Sequence, residues 1–262
     1  MERFASFRRA SVPVLLDGLL DERAGLTHWS LPQLRERFGD RQVSVILTTD
    51  GRLRGDVQRG LAFGTVPFGD YIDRLEQGEQ PEAYLAAPTD TWLPEVLEDI
   101  APPQYCRDAG WRNSRFWLSA ATTLTPMHRD VAENIFLQLA GRKRFYLYSP
   151  AATPWLHSNP LGSALPNFSS FDPEMPDYER FPLSRAVRPL ELILGPGEAL
   201  YLPSRWWHQV RSLDVSVSLN FWFADGALAL IVRAAEFVKR IRRLEIYSLE
   251  ARLRANGRGG AP

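Results

Sequence analysis

The 262-residue sequence predicts a mainly β domain with flanking helices, a sandwich or a jelly-roll barrel, followed by a C-terminal helix. Three observations carry this. From about residue 115, short β-branched and aromatic runs recur between turn signals such as Ala140-Gly141 and Gly195-Pro196-Gly197, and many short strands at this spacing mark antiparallel sandwiches and jelly rolls. Apolar residues make up 45% of the chain and aromatics 11%, enough for a sizeable core and too many for disorder. Finally, Ile231, Ala234, Val238, Ile241, Leu244, Leu249 and Leu253 form an apolar stripe at helical spacing.

The first hundred residues mix both patterns. Leu31 to Phe38 follows Ser30, a good N-cap residue type, and carries the apolar spacing of a helix. Gln42 to Thr48 alternates as a strand does. Phe68 to Leu75 and Leu93 to Ile100 read as short helices, the second ended by Pro102-Pro103. Strands are expected over Arg115 to Ala121, Asn134 to Leu139, Arg144 to Tyr148, Leu190 to Leu194, Ala199 to Leu202 and Val215 to Phe223. Between them, Ser149 to Pro189 is long, Pro-rich and poorly patterned, as expected of a functional loop such as a lid. The stripe places a helix over 227–255, and the Gly-rich 256–262 reads as a frayed tail.

Charge narrows the classes of partner. Thirty-one basic and 31 acidic residues give no net charge, which argues against electrostatic coating of nucleic acid. The neutrality is uneven: residues 227–262 carry +5 and the remainder −5. The basic terminal helix therefore packs on its own barrel with a solvated face, or forms a homodimer. The single cysteine, Cys106, excludes an intrachain disulfide framework and a Cys-based zinc site, and a reducing, cytoplasmic location is expected. The apolar run Val12 to Leu20 is broken by Pro13, Asp17 and Gly18, too short and interrupted for a signal peptide or membrane span, so no membrane partner is expected.

The chemistry concentrates at Thr125-Pro-Met-His-Arg-Asp130. Residues two apart on a strand share a face, so His128 and Asp130 would project an imidazole and a carboxylate into one space. His208, in Leu202-Pro-Ser-Arg-Trp-Trp-His208, is a candidate third ligand. Two histidines and one carboxylate make the set that holds non-haem Fe(II) on one face and leaves the other open. The competing reading is a chance His-x-Asp and a core histidine beside tryptophan. Lys143 adds to the metal reading. The basic residues are 29 Arg and only two Lys, Lys143 and Lys239. An antiparallel neighbour of the Asn134 strand would carry the Lys143 ammonium into the barrel, where a buried cation needs an anion such as a metal-bound dicarboxylate. Thr125 and Asn134 could add a hydroxyl and an amide. Without such burial, Lys143 is a turn-flanking surface residue between Arg142 and Arg144.

The stretches TLTPMHRDVAENIFLQLAGRKRFYLYSP (Thr123 to Pro150) and PGEALYLPSRWWHQVRSLDVSVSLNFWF (Pro196 to Phe223) resemble the JmjC/cupin-8 family of Fe(II)- and 2-oxoglutarate-dependent oxygenases related to factor inhibiting HIF. Ala83 to Ala87, Leu93 to Ile100 and Asn167 to Phe181 resemble the JmjC arginyl-hydroxylase branch, and the likeness covers roughly 10–225. It implies a double-stranded β-helix, a jelly roll, over a domain of 1–226 that includes the N-terminal α/β part. It implies iron ligands His128, Asp130 and His208, with Lys143 pairing the distal carboxylate of 2-oxoglutarate, Thr125 and Tyr84 beside it, and Asn134 in the cosubstrate pocket. Asn220 resembles the pocket asparagine of the asparaginyl-hydroxylase branch. Trp117 and Trp222 line the pocket or pack in the barrel.

The activity so implied consumes 2-oxoglutarate and O2, releases succinate and CO2, and hydroxylates an amino-acid side chain (Arg, Asn, Asp or similar) in a protein or peptide. The alternatives are a free amino acid, natural product or sugar as substrate, N-methyl-lysine demethylation, and a non-catalytic cupin-like binding protein. The carboxylates Asp172, Glu174, Asp177 and Glu179 in the long loop form either a receiver for a substrate guanidinium or a solvated acidic surface.

Overall fold

A computed structural model describes residues 2–16, 18–19, 26–56, 59–79 and 81–238. The N-terminal part contributes α1 (Glu2–Ala10), β1 (Val14–Leu16), α2 (Leu31–Phe38), β2 (Gln42–Thr49), β3 (Arg52–Leu53), the small hairpin β4 (Gly55–Asp56) and β5 (Gly60–Leu61), β6 (Phe63–Pro67), α3 (Phe68–Glu76) and β7 (Ala83–Pro88). The barrel strands follow: β8 (Trp111–Ser119), β9 (Leu124–Arg129), β10 (Glu133–Ala140), β11 (Lys143–Tyr148), β12 (Leu190–Leu194), β13 (Ala199–Leu202), β14 (Trp207–Ser212) and β15 (Ser216–Ala224).

These eight strands pair antiparallel in two facing groups, β13-β10-β15-β8 and β9-β14-β11-β12, which is the jelly roll that the strand pattern predicts. The first group is widened by β7, β2 and β6 on one edge and by β1 on the other. Its two faces differ. Phe116, Leu118, Ile135, Leu137, Leu219 and Phe221 point outward and are buried beneath α2 and α3 in the largest apolar cluster. Each such side chain contributes roughly 1.5–3 kcal/mol by leaving water. The alternate residues point into the barrel, and many of them are polar, including Asn134, Ser218 and Asn220. The second sheet is lined inside by Phe145, Leu147, Leu194 and Val210 and covered outside by Met127, Tyr146, Tyr148 and Trp207.

Several expectations need correction. β10 and β11 are consecutive but lie in opposite sheets: β10 pairs with β13 and β15, β11 with β12 and β14. Lys143 enters the barrel from the facing sheet, not as a neighbour of Asn134. The crossing turn needs Gly141 at φ 65°, where an added Cβ would meet the Val215 carbonyl oxygen at 2.2 Å. The Leu93 to Ile100 helix shrinks to Val96–Asp99, after a separate turn at Thr89–Trp92. Pro94 is the cause, because the residue before a proline avoids helical angles, and Leu93 has φ −140° and ψ 56°. Ser30 precedes α2 but makes no side-chain cap bond.

The 149–189 segment is packed rather than loose. It holds two 3-10 turns, Pro150–Trp155 and Pro182–Ala186, and buries Ala152, Leu156, Phe171 and Phe181 against the outside of the second sheet. At the other end, residues 226–238 are helical, with Ala229 and Val232 packed on Ala132 and Ala224. The predicted continuation to 255, the tail and Lys239 lie outside the described residues. Among the described residues no helix is long and apolar enough to cross a membrane.

Candidate metal centre

His128 lies near the end of β9, directly opposite His208 on β14, and Asp130 follows just past the strand. A register shift between His208 and Val210 lets both imidazoles face inward. The ring centroids are 4.1 Å apart, and one ligating atom from each of His128, Asp130 and His208 falls within 4.8 Å of the others. Each histidine donates its Nδ1–H to a backbone carbonyl two residues back, His128 to Pro126 O at 2.9 Å and His208 to Trp206 O at 3.0 Å. Both Nε2 lone pairs are thereby turned toward the shared space, the arrangement that orients metal-bound histidines. Burial and the neighbouring His128 hold the His208 imidazole below its usual range, favouring the neutral, ligating form. His208 Nε2 sits 3.8 Å from Asp130 Oδ2. Two imidazoles and a carboxylate on one side suit Fe(II) with open positions opposite.

Two aromatic residues support this set, Trp222, which the resemblance places at the pocket or in the barrel core, and Phe168, to which the sequence reading gives no role. Trp222 donates its indole N–H to Asp130 Oδ2 at 2.9 Å, fixing the carboxylate. Phe168, from the 149–189 segment, stacks on His128 at 5.1 Å between ring centroids and forms a β-bridge with it. Both contacts join distant chain positions, so no local pattern announces the contacts themselves.

Deeper in the barrel, Lys143 is fully buried. Its Nζ donates to the Tyr84 hydroxyl at 3.1 Å and lies over the rings of Tyr84 and Phe136 at 5.3 and 5.4 Å. Among the described residues no carboxylate is within ion-pair distance, and burial brings its pKa down to about 7. Tyr84 is held above its ordinary range by burial, and its hydroxyl also bonds Thr125. Lys143, Tyr84 and Thr125 therefore converge as anticipated. Asn220 donates from Nδ2 to Asn134 Oδ1 at 2.8 Å, joining the two pocket asparagines. Asn220 Oδ1, Ser218 Oγ and Trp117 Nε1 are buried with no hydrogen-bond partner among the described residues. Buried polar groups are normally paired. An unneutralised ammonium beside orphaned polar atoms fits a polar, anionic guest.

The acidic loop is corrected at Asp172 and Glu174, while Asp177 and Glu179 are exposed, as the solvated reading has it. Asp172 accepts from Arg52 at 2.9 Å and from Gln209 at 2.8 Å, and Glu174 pairs with Arg211 at 2.5 Å. Asp177 Oδ1 accepts from the Arg180 backbone N–H at 3.0 Å. Arginines of the protein itself thus engage Asp172 and Glu174 and tie the segment to the barrel, so these two form neither a guanidinium receiver nor a solvated patch.

Residues 1–227 match the family model described as a cupin-like domain. The chain belongs to that family. Among curated relatives of this cupin-like chain, Lysine-specific demethylase 8 of Xenopus tropicalis is 34% identical over 81% of the chain and 48% of its own length. The bifunctional peptidase and (3S)-lysyl hydroxylase of Homo sapiens is 27% identical over 80% of the chain and 77% of its length. The tRNA wybutosine-synthesizing protein 5 of Gallus gallus is 26% identical over 80% and 70%. The chain spans about half the length of Lysine-specific demethylase 8 and of other demethylase-named relatives it matches. JmjC members of the family depend in general on Fe(II) and 2-oxoglutarate, and the His128, Asp130 and His208 group can accept a metal ion.

Proposed function

We propose that this cupin-like chain is an Fe(II)- and 2-oxoglutarate-dependent oxygenase that hydroxylates an unactivated C–H bond of an amino-acid side chain in a protein or peptide. The observation that carries the reading is a buried ammonium and a metal triad along one inward-facing row. On β11, Leu147 pairs with His208, and Lys143 lies four residues further along the same face. At the usual strand rise that is about 13 Å, which a lysine side chain and a five-carbon dicarboxylate can bridge together.

His128, Asp130 and His208 would hold the iron, and Lys143, Thr125 and Tyr84 would hold the distal carboxylate. Bound there, iron and cosubstrate together supply O2-dependent oxidation, with 2-oxoglutarate leaving as succinate and CO2. The chain's own contribution is placement. Trp222 keeps Asp130 turned to the metal, the Nδ1–H bonds keep both imidazoles aimed, and the apolar inner wall of Phe136, Phe145 and Leu147 excludes water.

The test is succinate formation by iron-loaded protein with cell extract, with His128→Ala and Lys143→Ala as controls. Turnover by wild type, lost in both variants, supports the oxygenase. No succinate from wild type with any extract would leave a binding protein. A product heavier by one oxygen in protein digests, against metabolite extracts, separates a peptide from a small-molecule substrate. Formaldehyde release would instead mark N-methyl-lysine demethylation, the activity named for relatives such as Lysine-specific demethylase 8.

A further inference from the structure

Arg129 ends β9 between the candidate ligands His128 and Asp130, and Arg205 stands just before β14, the strand that carries His208. Both arginines are therefore on the lip of the barrel at its metal end. Arg205 is exposed and is tied there by its backbone. Its N–H donates to Asp130 O at 2.8 Å, and the neighbouring Ser204 Oγ donates to Val131 O at 2.5 Å. The bend holds Arg205 at φ 68°, a left-handed conformation that costs glycine nothing but strains a residue with a Cβ. Arg129 is half-buried and is held by its side chain. Its guanidinium lies 4.7 Å from the ring centroid of Trp207, its cross-strand partner, and donates to Thr153 Oγ1 at 3.1 Å. Thr153 is itself fixed, donating to Pro150 O at 2.6 Å and accepting from Trp207 Nε1 at 3.0 Å.

Among the described residues neither arginine has a carboxylate within ion-pair distance. Three carboxylates at this end are engaged elsewhere: Asp130 belongs to the metal position, and Glu133 and Asp225 both pair with Arg8. The two cations instead feel each other. Burial first, and then the charge of Arg205, hold the Arg129 guanidinium below its usual range, though an arginine so placed stays charged. One side-chain bond to Thr153 also leaves most of the five donors of the Arg129 fork uncommitted among the described residues. Like charges brought together cost energy that an arriving anion would recover.

We infer that Arg129 and Arg205 form an anion subsite on the lip, which receives the carboxylate of an Asp or Glu flanking the reacting residue of a peptide substrate. A planar guanidinium matches a carboxylate in two parallel hydrogen bonds, and a fork already held on Trp207 and Thr153 loses less freedom in making them. Both arginines adjoin Asp130, one along the chain and one through its carbonyl, so the acidic residue belongs a few positions from the reacting one, at ~3.3–3.6 Å per extended residue. A nucleic-acid phosphate has the right charge, but the chain's lack of net charge favours the peptide. The inference rests on the oxygenase reading for its reacting residue, and on the two arginines alone for the subsite.

The experiment titrates blocked peptides Ala-Asp-Gln-Asp-Ala, Ala-Asn-Gln-Asn-Ala and Ala-Lys-Gln-Lys-Ala, with hexauridylate as a phosphate probe, onto the full chain without metal or cosubstrate. Binding is read by saturation-transfer NMR, and succinate formation by the iron-loaded chain with cell extract is read in parallel. Wild type is expected to bind the Asp peptide about threefold or more tightly than the Asn peptide, and the Lys peptide least, as partly exposed charges allow. Arg129→Gln and Arg205→Gln should each remove most of that preference. Arg142→Gln, the same loss of charge at the β10–β11 turn and so at the opposite end of the barrel, should not. Arg205→Gly separates recognition from structure: it relieves the left-handed strain, so the thermal midpoint should hold or rise while the acidic preference is lost. No preference for Asp, a preference unmoved by both lip variants, or tighter binding of hexauridylate than of the Asp peptide would overturn the inference. Acid-selective binding without succinate would keep the subsite and remove the oxygenase reading. Succinate formation by a chain indifferent to Asp would do the reverse.

Discussion

The sheet β8-β15-β10 carries two functions on alternate residues of the same strands. Its outer face, from Phe116 and Leu118 to Leu219 and Phe221, is apolar and sealed under helices. Its inner face, from Arg115 and Trp117 to Asn134, Asn220 and Trp222, is polar although most of it is also buried. A strand with one buried face is easy to stabilise; here the second face is enclosed as well, and its polar groups bond each other or stand unsatisfied. The difference separates what holds the fold from what the barrel is built to receive. Substitutions on one face should register in stability, and those on the other in ligand affinity.

The largest stability effect is expected on the outer face. Phe221→Ala should cost about 3–5 kcal/mol in urea unfolding, through lost burial and the cavity left behind. On the inner face the sign should differ. Lys143→Met should retain or gain stability, because it removes a buried cation that has no ion-pair partner among the described residues, yet it should weaken 2-oxoglutarate binding in calorimetry by about 30-fold or more. A Lys143→Met protein that unfolds as readily as Phe221→Ala would erase the contrast.

The same lysine gives a pH signature. Its folded pKa of about 7 lies below the unfolded value of 10.5, so at intermediate pH the unfolded chain binds more protons at this position. The group's cost to the fold is full below about pH 7 and fades as pH rises toward the unfolded value. The advantage of Lys143→Met over wild type should therefore be greatest near pH 6–7 and shrink toward pH 10, read from denaturation midpoints. A constant gap across that range would mean that Lys143 is charged throughout.

Smaller effects follow. Trp222→Phe keeps an aromatic ring but removes the N–H to Asp130, and metal affinity by competition with a chelator should fall about 10- to 100-fold with a smaller change in stability than Phe221→Ala. Smallest of all, Arg52→Ala breaks the half-exposed tether to Asp172 and should shift unfolding by less than about 1 kcal/mol.

How far the sequence speaks depends on the distance over which a signal acts. β12 and β13 were legible to the residue, because short apolar runs between turns are local. The triad was legible because its first two ligands sit two apart, and the third beside paired tryptophans at a strand start. Lys143 stood out by composition, but the sheet carrying it did not, since a tight Gly turn reads alike whether the chain folds back or crosses over. The partners of Asp172 and Glu174 were not legible, because Arg52, Arg211 and Gln209 come from other strands. Trp222 and Phe168 acquire their roles only across the barrel. Alternation alone cannot tell a polar face turned to water from one turned to a bound guest.

The short bonds from His128 Nδ1 to Pro126 O and from His208 Nδ1 to Trp206 O close locally along the chain, each spanning two residues. Neither needs the other strand, nor an ion, to form. The conformational entropy of aiming the imidazoles is thus lost when the strands fold and not when an ion arrives. Loading the centre becomes an act of recognition by a rigid host, and the empty and filled proteins should share one backbone.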